Sequence, residues 1–315
     1  MIKHLDRKEG IAMNSEWAGT TNQEALLSEY NLVGERAKET QYYVVQSELA
    51  THSSKGVLKS TDVYRELLEV EPGDRSAGEA DRFTCKRFSV KRGDAPQATI
   101  PSLEGFSYEV NKGLLDENGI DQNGELYSVP EETFEGLVDD SGAQLPFEVG
   151  YQVYSAFCYY HSYTDYAEPT AQGNGIQNLA RIGDRVVVEG SFAESPLPGK
   201  LAKDSAFWRY GEITLAFNGL STVDEKPCAV LGLDSGVCRW SMPMTYMPVM
   251  NLKTVGVSNY QADIYLDLET MWVRKLDMVL FEITTTTMWG IPVDKSIPVT
   301  KLAIWAIGED EFDQS

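Results

Sequence analysis

Apolar and polar residues alternate with a period of two along much of this chain, most clearly towards its C-terminal end. In Tyr260–Leu268, Ala262, Ile264, Leu266 and Leu268 alternate with Gln261, Asp263, Tyr265 and Asp267. Successive side chains of a strand leave opposite faces, so one set is assigned to a buried face and the other to solvent. Asp267-Leu-Glu-Thr270 turns the chain, Trp272–Thr287 returns as a long strand rich in Val, Leu, Phe, Ile and Thr, and Val299–Ile307 adds a third. Upstream, Gln41–Leu49 and Asp62–Val70 flank the polar turn His52-Ser-Ser-Lys-Gly56 in a hairpin pattern, and Phe83–Lys91 follows. Phe147–Tyr166 reads as a long aromatic strand or strand pair, and Arg185–Phe192, Ala206–Phe217 and Pro227–Trp240 lead into the terminal ladder. Helical spacing is confined to Glu24–Glu39, where Leu26, Leu27, Tyr30, Leu32 and Val33 recur and Gly34 interrupts.

The pattern predicts a mainly β protein. Its frame is a strongly curved antiparallel sheet, half-barrel or barrel-like, with one N-terminal helix. Residues 1–23 read as a flexible N-terminal segment, with Met13 as an alternative start, and 24–315 as a single large β domain. Two similar halves, 40–115 and 143–315, are the alternative division. It rests on an echo between Gly56–Arg65 and Gly199–Arg209 and on the Gly- and acid-rich seam Asp116–Gly142, whose Asn-Gly pairs mark tight turns.

Composition narrows the function more by exclusion than by assignment. With 27 basic against 48 acidic residues the 315-residue chain carries a formal charge of −21. Such a field repels phosphate backbones and anionic surfaces, so no nucleic-acid partner is expected. No run approaches the ~18 apolar residues of a membrane span, and the charged first residues lack the apolar core of a secretory signal. A cytoplasmic location is the corresponding expectation. Cys85, Cys158, Cys228 and Cys238 show no metal-ligand spacing. A hairpin between Cys228 and Cys238 would bring those two together, as a disulfide or, more in keeping with a cytosolic protein, as thiols. No cofactor or metal is expected; the acidic run Asp116–Glu125 departs from the EF-hand pattern at Ile120 and Asp121.

Two segments carry candidate chemistry. In Tyr151–Tyr166, Tyr151, Tyr154, Phe157, Tyr159, Tyr160, Tyr163 and Tyr166 surround His161. On strand alternation His161 shares a face with Tyr151, Phe157, Tyr159, Tyr163 and Asp165. His161 and Asp165 would then stand roughly 13 Å apart unless Ser162–Thr164 turns the chain. Brought together, His161, Asp165 and Tyr163 would form an oriented acid–base group. Otherwise Tyr151, Tyr154, Phe157 and Tyr159 suit the lining of an amphipathic cavity, or plain strand packing. The second segment, Trp240–Met250, holds Met244, Tyr246 and Met247 between prolines, and reads as a Pro-bounded loop that covers an apolar cavity or makes a contact patch.

The hairpin Tyr260–Leu276, with its Asp-x-Glu-Thr turn and longer returning strand, resembles hairpins of the half-barrel lipid-carrier lipoproteins, of the lipoprotein-localisation and mycobacterial lipid-transfer type. The resemblance covers about fifty residues, and about a hundred if Gln41–Lys91 is the matching half. It implies a curved sheet closed by a helix over an apolar cavity. Met271 stands where those families place Gly after Glu-Thr, and the chain has neither their export signal nor a lipobox cysteine.

Three functions follow in order. The first is binding of an apolar or amphipathic small molecule in an aromatic-lined cavity. The second is a hydrolase or isomerase using His161. The third is a structural or assembly subunit, with homo-oligomer formation left open.

Overall fold

The computed structural model describes residues 22–74, 79–110, 131–134, 136–170, 173–194, 207–246 and 250–314. Residues 1–21, the turns expected at Asp116–Glu125, and Met247 lie outside them. The strands are β1 (Gln41–Ser53), β2 (Leu58–Glu71), β3 (Asp81–Arg92), β4 (Ala98–Thr99), β5 (Phe106–Val110), β6 (Arg185–Glu194), β7 (Phe207–Val223), β8 (Lys226–Asp234), β9 (Cys238–Tyr246), β10 (Met250–Asp267), β11 (Val273–Met288) and β12 (Ile291–Ile307). All twelve join one antiparallel sheet in the order β4-β3-β2-β1-β12-β11-β10-β8-β7-β6, with β5 on β3 and β9 on β10 and β7. The sheet does not close on itself.

Its inner face follows from alternation. Tyr43 and Val45 on β1, Tyr64 and Leu68 on β2, Leu276, Met278 and Leu280 on β11 and Leu302 and Ile304 on β12 all enter one buried cluster. Helix α2 (Phe147–Thr164) fills the hollow of that face. Its Phe157 ring lies 6.4 Å from Phe88 of β3, and its Tyr163 ring 5.7 Å from Tyr260 of β10. One helix thus touches strands far apart in the sheet order, which only a strongly curved sheet permits. On the opposite face, α3 (Glu309–Gln314) packs Phe312 over Val44 and Leu67.

Helix α2 overturns the strand expected at Phe147–Tyr166. Val149, Val153, Ala156, Phe157, Tyr160, His161, Tyr163 and Thr164 are its buried positions, a helical stripe. Tyrosine's strand preference suggested a period of two, but the burial period is 3.6. The expected N-terminal helix is present but short: α1 spans Asn22–Leu27. Beyond it the backbone bonds to other parts of the fold, Tyr30 N–H to the Ala180 carbonyl (2.8 Å) and Ala37 N–H to that of Thr270 (2.9 Å). The Asn31 side chain accepts from Val33 N–H, a local turn that competes with a helix.

β8 and β9 are not the hairpin expected between Cys228 and Cys238. They lie end to end along β10, with Asp234 opposite Gln261 and Cys238 opposite Ser258. Ser235–Val237 therefore forms a bulge facing Asn259 and Tyr260. Ser235 N–H donates to the Tyr260 carbonyl (3.0 Å), and Tyr260 N–H returns a bond to Ser235 Oγ (2.9 Å). Cys228, opposite Asp267, and Cys238, opposite Ser258, are separated by half the length of β10, and both are buried free thiols. Pro243, expected in a loop, sits within β9 opposite Lys253. Among the described residues the β7 ladder reaches Ser241, and Pro243 is paired on the β10 side.

Asp267 shapes the turn before β11: its Oδ1 accepts from Glu269 N–H (2.8 Å) and Thr270 N–H (3.0 Å). Met271 then takes a left-handed φ of 57°, the conformation for which glycine is the usual residue. Its side chain packs against Gly34, where an added Cβ would come within 3.2 Å of it. The β7–β8 turn, Asp224-Glu225, holds φ values of 49° and 64° without glycine. Two left-handed residues match the hairpin twist but favour Asn-Gly. The double change Asp224→Asn, Glu225→Gly is expected to raise unfolding free energy by about 1 kcal/mol, measurable by urea denaturation; a lower midpoint would contradict it.

Candidate functional site

The sequence-derived residues are brought together by α2, though not as a strand would place them. His161 is 1% exposed, and its Nε2 lies 2.7 Å from Tyr108 Oη on β5. Phe83 (ring centroids 4.5 Å apart), Tyr108 and Tyr160 box it in. Asp165 caps the helix, its N–H bonding to the His161 carbonyl. The two are neighbours on one helical face instead of ~13 Å apart. Tyr163 is buried between Tyr159 and Tyr260. His161 is thus sealed from solvent by the rings around it.

The residues expected to line a cavity divide. Phe157 is fully buried between Phe88, Phe106, Tyr108 and Phe134, and Tyr154 stacks edge-on with Phe134 at 5.3 Å. Both are packing residues. Tyr151 and Tyr159 are half-buried on the side of α2 nearest Tyr64, Glu282 and Thr300, and burial pushes the Tyr159 hydroxyl well above the usual tyrosine range. Met244 and Tyr246 belong to β9, not to a loop over the hollow.

The hollow is not filled to its end. Beyond the first turns of α2, towards the end that carries the β1–β2 and β11–β12 turns, a cavity of about 550 Å³ remains. Leu49 and Thr51 of β1, Ser60, Asp62 and Tyr64 of β2, Arg92 and Gly93 at the end of β3, and Val149 and Gln152 of α2 line it. Burial raises the Asp62 carboxyl above its ordinary range, with Arg92 opposing. Arg92 is Asp62's cross-strand partner. The wall therefore offers apolar surface from Leu49, Tyr64 and Val149 beside a carboxyl–guanidinium pair. Further along the inner face the side chains are hydroxyls: Thr254 meets Thr286 at 2.9 Å and Thr284 meets Ser296 at 2.9 Å.

A larger space, about 1000 Å³, lies on the outer face over the β8–β9 bulge. Glu48, Glu212, Asp234, Asp263 and Asp277 line it with Arg185 and Lys301. Asp263 and Asp277 are direct cross-strand partners, and Lys275 answers Asp277 at 2.7 Å. This is a charged, hydrated trough. An apolar ligand would gain little there, so the smaller inner cavity is the better candidate.

Glu66 of β2 escaped the sequence reading. Tyr64, Glu66, Leu68 and Val70 share the inward phase of β2, so its carboxyl enters the core, where it is 1% exposed. Burial pushes its pKa from 4.5 to about 8, and the Cys85 thiol draws it part of the way back. A charged residue in the apolar phase of a strand was the available signal.

No family model and no curated protein matches this chain. Among solved structures it is similar to a Bacteroides fragilis protein of YmcC-like fold, provisionally described as exported, at 10% identity over 87% of this chain and 97% of that one, with a TM-score of 0.19. It is also similar to the outer membrane channel DcaP of Acinetobacter baumannii, at 8% identity over 87% and 100% of the two chains, TM-score 0.20. Variants of an Rh. blastica porin match at 6% identity over 85% and 100%, for example with a TM-score of 0.17. A protein provisionally described as exported and outer membrane channels lend no support to the expected cytoplasmic location, and that expectation is withdrawn. No helix among the described residues is long and apolar enough to cross a membrane, which says nothing of strands. At such TM-scores the matches carry no argument for a family, a function or a compartment.

Proposed function

We propose that the protein binds an amphipathic small molecule, without covalent chemistry, in the cavity between α2 and the ends of β1, β2 and β3. The observation that carries this reading is the cavity itself: about 550 Å³, bounded by a helix and a sheet, with an apolar wall and the Asp62–Arg92 pair. That volume lies within the range of small-molecule sites, which combine an apolar lining with a few placed polar groups. Leu49, Tyr64 and Val149 supply the driving force, about 25 cal/mol per Å² of apolar surface removed from water. Arg92 and Asp62 orient the polar end of the ligand. The resemblance to lipid carriers implies the same use of a curved sheet, with α2 here restricting the ligand to one end of the hollow. His161, enclosed by rings, takes no part.

Gln152→Trp, at the rim of the cavity on a half-buried helical position, tests this. The wild-type protein is expected to enhance the fluorescence of anilinonaphthalene sulfonate, and the variant to bind it at least about tenfold more weakly, a change of about 1.4 kcal/mol. Equal affinity in the two proteins would remove the cavity as the site.

A further inference from the structure

The net charge of −21 conceals an uneven distribution. Two hairpin turns sit side by side at one end of the sheet. In the first, Ser53 N–H donates to the Val57 carbonyl (2.8 Å), and Gly56 takes a φ of 78°. The second turns at Trp289 and Gly290, with φ values of 50° and 81°. Ser53 pairs with Ser296, so the β11–β12 hairpin runs on past the β1–β2 end through residues 291–295. Lys59 of β2 reaches across to Asp294 at 2.9 Å and ties the two together.

The side chains presented there are unlike the rest of the surface. Val57, Leu58, Trp289, Ile291 and Val293 are each half or more exposed. Lys55, Lys59, Lys253 and Lys295 are exposed among them, with Lys253 opposite Thr287 at the base of the protruding hairpin. Asp294 is the single carboxylate of the segments 54–60 and 286–296, and Lys59 neutralises it. Among the described residues no ion pair occupies Lys55, Lys253 or Lys295. A chain with 48 acidic and 27 basic residues thus concentrates basic charge around an apolar, tryptophan-bearing tip.

We propose that these two hairpin ends dock the protein on the headgroup layer of an anionic lipid bilayer. Apolar and tryptophan side chains partition into the interface, and lysines beside them are drawn to anionic headgroups. The overall negative charge does not oppose this at close range. At about 0.1 M salt charges are screened over about 10 Å, so the potential at the tip is set by the lysines at the tip. Charge complementarity decides between occupants: a second copy of this chain would bring Lys55, Lys253 and Lys295 against their own counterparts, whereas an anionic bilayer is of opposite sign. The docking site adjoins the open end of the ligand cavity but does not depend on it.

The test is sedimentation of the full-length protein with vesicles of phosphatidylcholine, with and without phosphatidylglycerol. Binding is expected to the anionic vesicles and to fall as salt is raised. Lys55→Ser with Lys295→Ser should lower the partition coefficient at least about tenfold, and Trp289→Ser with Ile291→Ser should lower it as much or more. All four residues are exposed, and circular dichroism establishes that the variants remain folded. Absence of binding to anionic vesicles, or binding unaltered in both variants, would overturn the proposal. So would a self-associated protein that both variants convert to monomer while vesicle binding is unchanged, which would assign the tip to a second copy.

Discussion

Raising the pH from about 5 to about 9 lowers the stability of this protein by on the order of 4 kcal/mol through Glu66, and Glu66→Gln abolishes that part of the loss. Among the described residues no nitrogen or oxygen donor reaches either carboxyl oxygen of Glu66, so ionising it would leave a charge answered only by the weak Cys85 thiol among apolar side chains. Its pKa in the folded protein is therefore about 8, against 4.5 for the exposed group. Between these values the folded chain holds a proton that the unfolded chain has released, so stability falls as pH rises, by about 1.4 kcal/mol per pH unit. Below 4.5 both states are protonated and the contribution is fully present; above about 8 both are ionised and the loss is complete. The measurement is urea unfolding of wild type and Glu66→Gln across this range. The difference between the two curves should grow in favour of the variant as pH rises. Parallel curves would mean that Glu66 is solvated or paired.

Arg36→Ala should cost about 3–5 kcal/mol, because it takes a paired cation away from a buried carboxylate. Arg36 lies in the segment between α1 and β1, pairs with Asp81, whose side chain is 2% exposed, and reaches Glu168 at 3.2 Å. Its guanidinium stacks 4.0 Å from the centroid of Trp272, and the Trp272 indole N–H donates to the Ala37 carbonyl at 2.9 Å. One side chain therefore joins the N-terminal segment, the start of β3, the end of the α2 region and the β10–β11 turn. Arg36→Lys should restore only part of the loss, since an ammonium cannot both fork between two carboxylates and lie flat on an indole. Denaturant midpoints of the two variants decide this. A loss below about 1 kcal/mol for Arg36→Ala would mark the cluster as an ordinary surface ion pair.

What could be read from the sequence divides along physical lines. The strands were legible because a half-buried strand writes its burial into every second residue, as Ala262, Ile264 and Leu266 do on β10. The sheet order was not, because alternation says which face a residue takes and not which strand lies beside it. Helix α2 was misread through its composition: seven tyrosines and phenylalanines suggested a strand, although Val149, Val153, Ala156, Phe157 and Tyr160 already carried the helical period. Bulges hide differently. Ser235–Val237 resembles a turn in sequence, and only the pairing of β8 and β9 with the same strand shows it to be an interruption of one long strand. At the site, the histidine-centred group is enclosed by rings, while the cavity draws on Leu49, Tyr64, Arg92 and Gln152, which no local motif connects. Arg36 is similar, with partners 45 and 132 residues away.

The pairing of β1 with β12 has a consequence for how the chain is made. β1 is an interior strand whose neighbours are β2, available at once, and β12, the last to be synthesised. Until Ile291–Ile307 leaves the ribosome, β1 presents a bare edge of thirteen residues from Gln41 to Ser53, and the inner-face residues Tyr43 and Val45 have only half their lateral cover. Joining strands about 250 residues apart is slow, since the entropy of closing the loop is lost before the contacts form. The sheet is therefore completed late, and its early strands pass through a stage in which any complementary edge can capture them.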